Sequence, residues 1–347
     1  MTSVETSTAA IAVPAAATSP ETSAVPAAGT SPATSPATST VAAAVPAAVP
    51  ANRLAARGLG LRYGDRTIVE GLDLELPGNA VTAIVGPNAC GKSTLLRGLV
   101  RLLDPAAGTV TLDGADIHRM PARALAKRMG LLPQQPVTPE AVTVEALVRL
   151  GRYPHQRLLS PWSKADQAAV EEALERTGTA ELRDRQVDRL SGGQRQRVWI
   201  ALALAQETDL LLLDEPTTFL DLRHQLDVLD LVADLHAEAG RTVVMVLHDL
   251  GQAARYADHL VVLKDGRLAA AGPPSEVLTA ELVETVFQVP CRIVPDPETG
   301  TPLVVPRARN RARNRARCSG AAPAASTGST SSAASTASAA SADSVAH

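Results

Sequence analysis

Nine residues, Gly86 to Thr94, read G-P-N-A-C-G-K-S-T. Their types and spacing suit a loop that wraps a phosphate chain. Gly86 and Gly91 let the backbone curl around an anion without Cβ clashes. The stretch Pro87, Asn88, Ala89 and Cys90 offers N–H groups to that anion from every residue but Pro87, which has none. The start of a following helix adds the positive end of its dipole. Lys92 can reach the β- and γ-phosphates of a triphosphate, and the Ser93 hydroxyl, next to Thr94, can ligate Mg²⁺.

Such a loop needs a buried strand before it and a helix after it. V-T-A-I-V at 81–85 is apolar and β-rich, and Leu95, Leu96, Leu99, Leu102 and Leu103 follow with helical spacing. Further strand-like runs occur at 59–63, 110–112, 130–132, 210–213, 243–247 and 260–263. Helical patterns lie between them, which predicts an α/β fold with a mostly parallel sheet. The stretch 140–205 breaks this alternation. It offers helices at 144–151, 164–177 and 194–206 and no strong strand, so it reads as an inserted helical subdomain.

Two more constellations can do chemistry. Leu210 to Leu213 are followed by Asp214 and Glu215, the pattern of a buried strand that delivers carboxylates to a metal site. Asp214 would hold Mg²⁺ through water, and Glu215 could polarise an attacking water. In L-S-G-G-Q-R-Q-R at 190–197, Ser191 is a fitting N-cap, and Gly192 and Gly193 expose backbone N–H groups ahead of a helix. That is a second anion site at a helix start, about 100 residues from the first.

Bulk properties narrow the class. The chain has 347 residues, is 45% hydrophobic and only 2% aromatic, so its core must be aliphatic. A net charge of −3 gives no general attraction to nucleic acid or acidic membranes. Cys90, Cys291 and Cys318 fit neither a disulfide framework nor a zinc spacing, which suggests a reducing compartment. Cys90 reads first as a small residue in a tight turn; oxidation that blocks the loop is the alternative. No run approaches the ~18 to 20 apolar residues that span a bilayer. The N-terminus lacks Lys and Arg before Arg53 and is interrupted by Pro14, Pro20 and Pro26, unlike a secretory signal. A cytoplasmic location is expected. Residues 1–52 are Ala/Pro/Ser/Thr-rich and expected to be disordered. The folded block is 53–306. Residues 307–347 form a tail, first Arg-rich and then low in complexity.

The loop at 86–94, L-S-G-G-Q at 190–194 and L-L-L-L-D-E-P at 210–216, in this order, resemble the ATP-binding-cassette ATPases. The resemblance covers about residues 53–306. It implies a P-loop NTPase with a RecA-like core, an antiparallel β subdomain and an inserted α-helical subdomain. It also implies ATP and Mg²⁺ as ligands and a head-to-tail homodimer. One copy's loop and the other copy's Ser191, Gly192, Gly193 and Gln194 would then enclose each ATP.

Other positions match the family one at a time. Tyr63 matches the aromatic that stacks on adenine. Gln134 matches the glutamine that senses Mg²⁺ and water, with Gln135 as the alternative register. Asp221, in T-T-F-L-D, matches the loop that crosses the dimer; Phe219 departs from the commoner S-A-L-D. His248, at the end of V-V-M-V-L-H-D, matches the switch histidine at the γ-phosphate. Lys92, Gln134, Glu215 and His248 would then carry catalysis, with Ser93, Gln134 and Asp214 around the metal.

Within the family, G-R-Y-P-H-Q at 151–156, Trp162, R-Q-R-V-W-I-A at 195–201 and E-P-T-T-F-L-D-L-R-H-Q at 215–225 resemble the ATPases of iron–siderophore importers. So do Pro295-Asp296-Pro297 and Gly300-Thr301-Pro302. Cobalamin and haem importer ATPases are near relatives. The resemblance implies transmembrane permease subunits as partners and, indirectly, a substrate-binding lipoprotein. The chain would then sit at the cytoplasmic face of the membrane. Residues 136–165 would meet a helix of the permease. The alternating run from Arg307 to Arg317 reads as a solvated tail, or as a loose contact with anionic lipid. No aromatic residues interleave with it, so no nucleic-acid partner is expected.

Overall fold

A computed structural model describes residues 52–136, 140–156 and 161–307. The expectations for the N-terminal segment, for the tail beyond Arg307 and for Cys318 lie outside these residues.

The described residues open with two long strands, β1 (Asn52–Tyr63) and β2 (Arg66–Pro77). Gly64 and Asp65 make the tight turn between them, since Tyr63 pairs with Arg66. β3 (Val81–Val85) leads through the 86–91 loop into α1 (Lys92–Leu99). Then come β4 (Ala107–Leu112), β5 (Ala115–Asp116), α2 (Ala122–Ala126) and β6 (Met129–Leu132). Three helices follow: α3 (Val144–Arg149), α4 (Lys164–Arg176) and α5 (Gly192–Ala205). The chain returns with β7 (Leu210–Leu213), α6 (Leu222–Ala239), β8 (Thr242–Val246) and α7 (Leu250–Tyr256). β9 (His259–Lys264), β10 (Arg267–Gly272), α8 (Pro274–Val277), α9 (Ala280–Phe287), β11 (Cys291–Pro295) and β12 (Pro302–Pro306) complete it.

The central sheet has the order β10-β9-β3-β8-β7-β6, and only the β9–β10 pair is antiparallel. β3, β7 and β8 are buried along their whole length. Strands covered on both faces read as continuous apolar runs, which is why V-T-A-I-V, L-L-L-L and T-V-V-M-V stand out. Ile84, Leu212, Val244 and Val246 face one hydrophobic cluster, shared with α1 and the antiparallel sheet β2-β1-β4-β5. Val85, Leu213, Val243 and Met245 face a second cluster, shared with α3 to α7. Strand alternation thus glues one sheet to two different layers.

The helical insertion leaves the sheet after β6 and rejoins it at β7, its parallel neighbour. Just before β7, Asp209 accepts a 3.0 Å bond from Arg53 of β1. Each helix start is capped: Thr143 for α3, and Ser163 with Asp166 and Ser191 with Gln194 as capping boxes for α4 and α5. The 144–151 pattern ends in a tighter turn at Leu150–Arg152. There Gly151 packs against α5 so closely that a Cβ would lie 2.3 Å from the Leu202 carbonyl oxygen.

Arg152 is buried in the insertion. It donates to Asp166 at 2.9 Å and to the Ala205 carbonyl at 2.8 Å, and it also pairs with Glu207. Burial pushes the Asp166 carboxyl up, but hydrogen bonds from Ser163 and Arg152 outweigh it and hold it below its usual range. Arg152→Ala strands that carboxylate and is expected to cost about 3 kcal/mol in a urea unfolding curve, as breaking one side of a buried pair does. A loss under about 1 kcal/mol would show that water replaces the guanidinium.

Candidate functional site

The C-terminal ends of β3, β8, β7 and β6 lie side by side, because these strands are parallel neighbours in register. Ile84 pairs with Val246, Leu213 with Met245, and Leu132 with Leu213. Each strand delivers one piece of chemistry within a few residues of its end. β3 gives the 86–91 loop, β8 gives His248, β7 gives Asp214 and Glu215, and β6 gives Gln134. Ligands of open parallel sheets bind at this edge.

The loop is shaped by its glycines. Gly91 has φ 102°, open to glycine and strained for other residues. A Cβ on Gly86 would lie 2.4 Å from the Leu263 carbonyl oxygen and 2.8 Å from Cys90 Sγ. Buried Lys92 spans the loop, its Nζ donating to the Gly86 and Pro87 carbonyls at 2.9 Å each. Cys90 is buried too. Burial pushes its thiol up more than Lys92 pulls it down. A protonated, enclosed thiol is a poor nucleophile, which favours the packing reading of this residue.

Ser93 Oγ donates to Asp214 Oδ1 at 2.9 Å. Burial pushes the Asp214 carboxyl up, and its bond to Ser93 offsets only part of that. A divalent cation would reverse this cost. A hydroxyl and a carboxylate are the hard oxygen donors that Mg²⁺ takes alongside phosphates and water, so these residues fit the ion.

Glu215 is the centre of a cluster. His248 Nε2 lies 2.8 Å from its Oε1. Gln134 Nε2 donates to its Oε2 at 2.5 Å, and Thr218 Oγ1 to the same oxygen at 3.0 Å. Burial pushes this carboxyl up, but the bonds from His248, Thr218 and Gln134 prevail and keep it ionised to lower pH than usual. Gln134, not the exposed Gln135, meets this group. Thr218 was not anticipated; its place three residues past Glu215, in the turn after β7, is the signal that could have found it.

Asn88, Ala89, Gly91, Lys92, Ser93, Thr94, Gln134, Glu215 and His248 line one open cavity of about 530 Å³. Arg66 and Ile68 of β2 complete it, neither singled out by the sequence. Tyr63 is not among the lining residues; it sits half-exposed at the end of β1, its hydroxyl accepting from Arg97 at 3.3 Å. The 191–194 residues also lie outside this cavity. Ser191 and Gly192 are exposed at the start of α5. A Cβ on Gly192 would touch nothing, whereas one on Gly193 would come 2.6 Å from the His224 ring. That ring lies 2.7 Å from Asp221, which caps α6. Bonds from the His224 backbone and ring hold the Asp221 carboxyl low.

A parallel sheet with this loop, this acidic strand end and this glutamine–glutamate–histidine cluster defines a P-loop nucleoside triphosphatase. The family model for ABC transporters matches residues 69–218. The achromobactin transport ATP-binding protein CbrD of Dickeya dadantii (strain 3937) is 53% identical, over 74% of this chain and 96% of that protein. The ferric enterobactin transport ATP-binding protein FepC of Escherichia coli (strain K12) is also 53% identical, over 74% and 95%. Among solved structures, the dimeric bacterial ABC transporter cassette MJ0796 matches with 27% identity and a TM-score of 0.58, over 63% of this chain and 98% of that one. This chain belongs to the ABC transporter family, as an ATP-binding subunit with ATPase activity. Among the described residues, no helix is long and apolar enough to cross a membrane.

Proposed function

We propose that this chain hydrolyses ATP to drive uptake of iron–siderophore complexes through a separate membrane permease, working as a head-to-tail homodimer at the cytoplasmic face of the membrane. The observation that carries the chemistry is the Glu215 cluster beside the phosphate loop. The cargo reading rests on relatives at 53% identity named for achromobactin and ferric enterobactin transport. Residues 53–306 are the working domain in this reading. The flanking segments and any substrate-binding lipoprotein stand outside the chemistry.

In each half-site, Lys92 and the loop N–H groups hold the phosphates of ATP. When bound through Ser93 and Asp214, with Gln134 nearby, Mg²⁺ supplies charge neutralisation at the β- and γ-phosphates. Glu215 accepts the proton of the attacking water. His248 and Gln134 fix the orientation of its two oxygens. Tyr63 stacks on the base. Ser191, Gly192, Gly193 and Gln194 of the other copy close over the γ-phosphate, while Asp221 lies along the dimer contact. Hydrolysis cuts the bridge between copies, and the helical insertion passes that opening to the permease.

Uptake into vesicles holding this chain with its permease tests the cargo. Iron carried in with a siderophore only when ATP is present is expected; uptake of cobalamin or haem instead would overturn the cargo reading. Permease contact has its own test. Tyr153 is 79% exposed beside exposed Leu150 on the insertion. Arg149 stacks over Trp162 at 4.0 Å and stiffens this end. Tyr153→Asp is expected to lower permease-coupled ATPase activity ~10-fold, as loss of a central aromatic contact does. ATP affinity of the isolated subunit should stay the same. Unchanged coupling would place the permease elsewhere.

A further inference from the structure

Glu215 stands at φ 53°, a backbone region that residues with long side chains seldom occupy. The turn after it holds it there. The Thr218 N–H donates to the Glu215 carbonyl oxygen at 3.2 Å, and the Thr218 hydroxyl donates to Glu215 Oε2 at 3.0 Å. One threonine thus grips both the main chain and the side chain of the glutamate. Rotation about the last side-chain bond would otherwise exchange the two carboxylate oxygens.

Those oxygens are not equivalent here. An ionised carboxylate offers about two acceptor sites on each oxygen. Oε2 accepts from Gln134 Nε2 at 2.5 Å and from the Thr218 hydroxyl, so both of its sites are in use. Among the described residues, Oε1 meets only His248 Nε2, at 2.8 Å, and keeps a site open. The side chain is just 9% exposed, and the residue lines the nucleotide cavity. The two donors on Oε2 also differ in origin. Gln134 comes from beyond the end of β6, 81 residues away, where the chain enters the helical insertion. Thr218 shares one tight turn with Glu215. A displacement of the insertion can remove Gln134 and leave the hydroxyl in place.

We propose that Thr218 is a positioning residue for hydrolysis, holding Oε2 so that Oε1, beside His248, takes the proton of the attacking water. The proposal rests on the reading of Glu215 as the general base. In this step a water O–H bond breaks and its proton passes to Oε1. The water oxygen bonds the γ-phosphorus, and the bond from that phosphorus to the bridging oxygen breaks, its electron pair leaving with ADP. Without the hydroxyl, either oxygen can turn toward the water, and the carboxylate is misaligned for part of the time.

The test measures kcat and KM for ATP on the purified full chain, with single-turnover rates for slow variants. Thr218→Val keeps the shape and removes the hydroxyl; it is expected to lower kcat ~10-fold, the effect of a modest misplacement, with KM unchanged. Thr218→Ala, which adds no bulk to the turn, should match it, and Thr218→Ser should restore most of the rate. In the Glu215→Gln background, Thr218→Val should cause no further fall, because a residue acting through the carboxylate has nothing left to position. ATP-dependent pairing in that background, read by sedimentation, should be the same with and without the hydroxyl. Turnover within about twofold of the parent, in either Thr218→Val or Thr218→Ala, overturns the proposal. So does a loss that Thr218→Ser does not restore, a full loss repeated on top of Glu215→Gln, or a loss of pairing. Those results leave Glu215 as the base. Near-normal hydrolysis by Glu215→Gln alone overturns the base reading and this proposal together.

Discussion

Glu215→Gln is expected to bind ATP and yet turn it over at least ~100-fold more slowly, the scale of a lost general base. The substitution keeps size and shape, and Thr218 can still donate to the remaining carbonyl oxygen. What disappears is a group able to take a proton. Three donors converge on Glu215 and keep it ionised. A base held in that state needs no proton loss before it acts. Phosphate release by the purified variant, beside nucleotide binding by fluorescence titration, is the measurement. Near-normal hydrolysis would remove Glu215 from the role.

Ser191→Arg should abolish ATP-dependent pairing of two copies. Ser191 is the N-cap of α5 and shares a capping box with Gln194. Losing that cap costs about 1 kcal/mol, too little to unfold the insertion. The larger effect lies outside the fold. Open space surrounds Gly192, and a long cation placed there blocks the close approach that bare backbone allows. Light scattering with ATP in the Glu215→Gln background reads the outcome, and Ser191→Ala separates cap loss from obstruction. A normal dimer in the Arg variant would mean that this helix start does not face another copy.

The legible parts of this fold were those under the strictest physical constraint. Strands buried on both faces must be apolar throughout, so β3, β7 and β8 announce themselves. β2, β10, β11 and β12 did not. β2 mixes exposed Glu70 and Gly71 with buried Leu72, Leu74 and Leu76. β10 is R-L-A-A-A-G, largely exposed, and β11 and β12 each end in proline. Edge and antiparallel strands keep half their surface wet, and that dilutes the pattern.

Within the site, residues joined by local spacing were readable, because a loop or a strand end fixes them in one segment. Arg66 and Ile68 enter the cavity only through the β1–β2 hairpin, and His224 reaches Gly193 only across two helices. Such meetings depend on tertiary packing, and no single stretch encodes them.

The attachment of the helical insertion has a mechanical consequence. It joins one parallel strand at its finish and the next at its outset, footings about 10 Å apart along a four-residue pair. The rear footing is clamped by Arg53 on Asp209, while the front one is Gln134, resting on a single oxygen of Glu215. In the mechanism proposed above, a tilt at that front footing would lift the Gln134 amide off the carboxylate that accepts the proton.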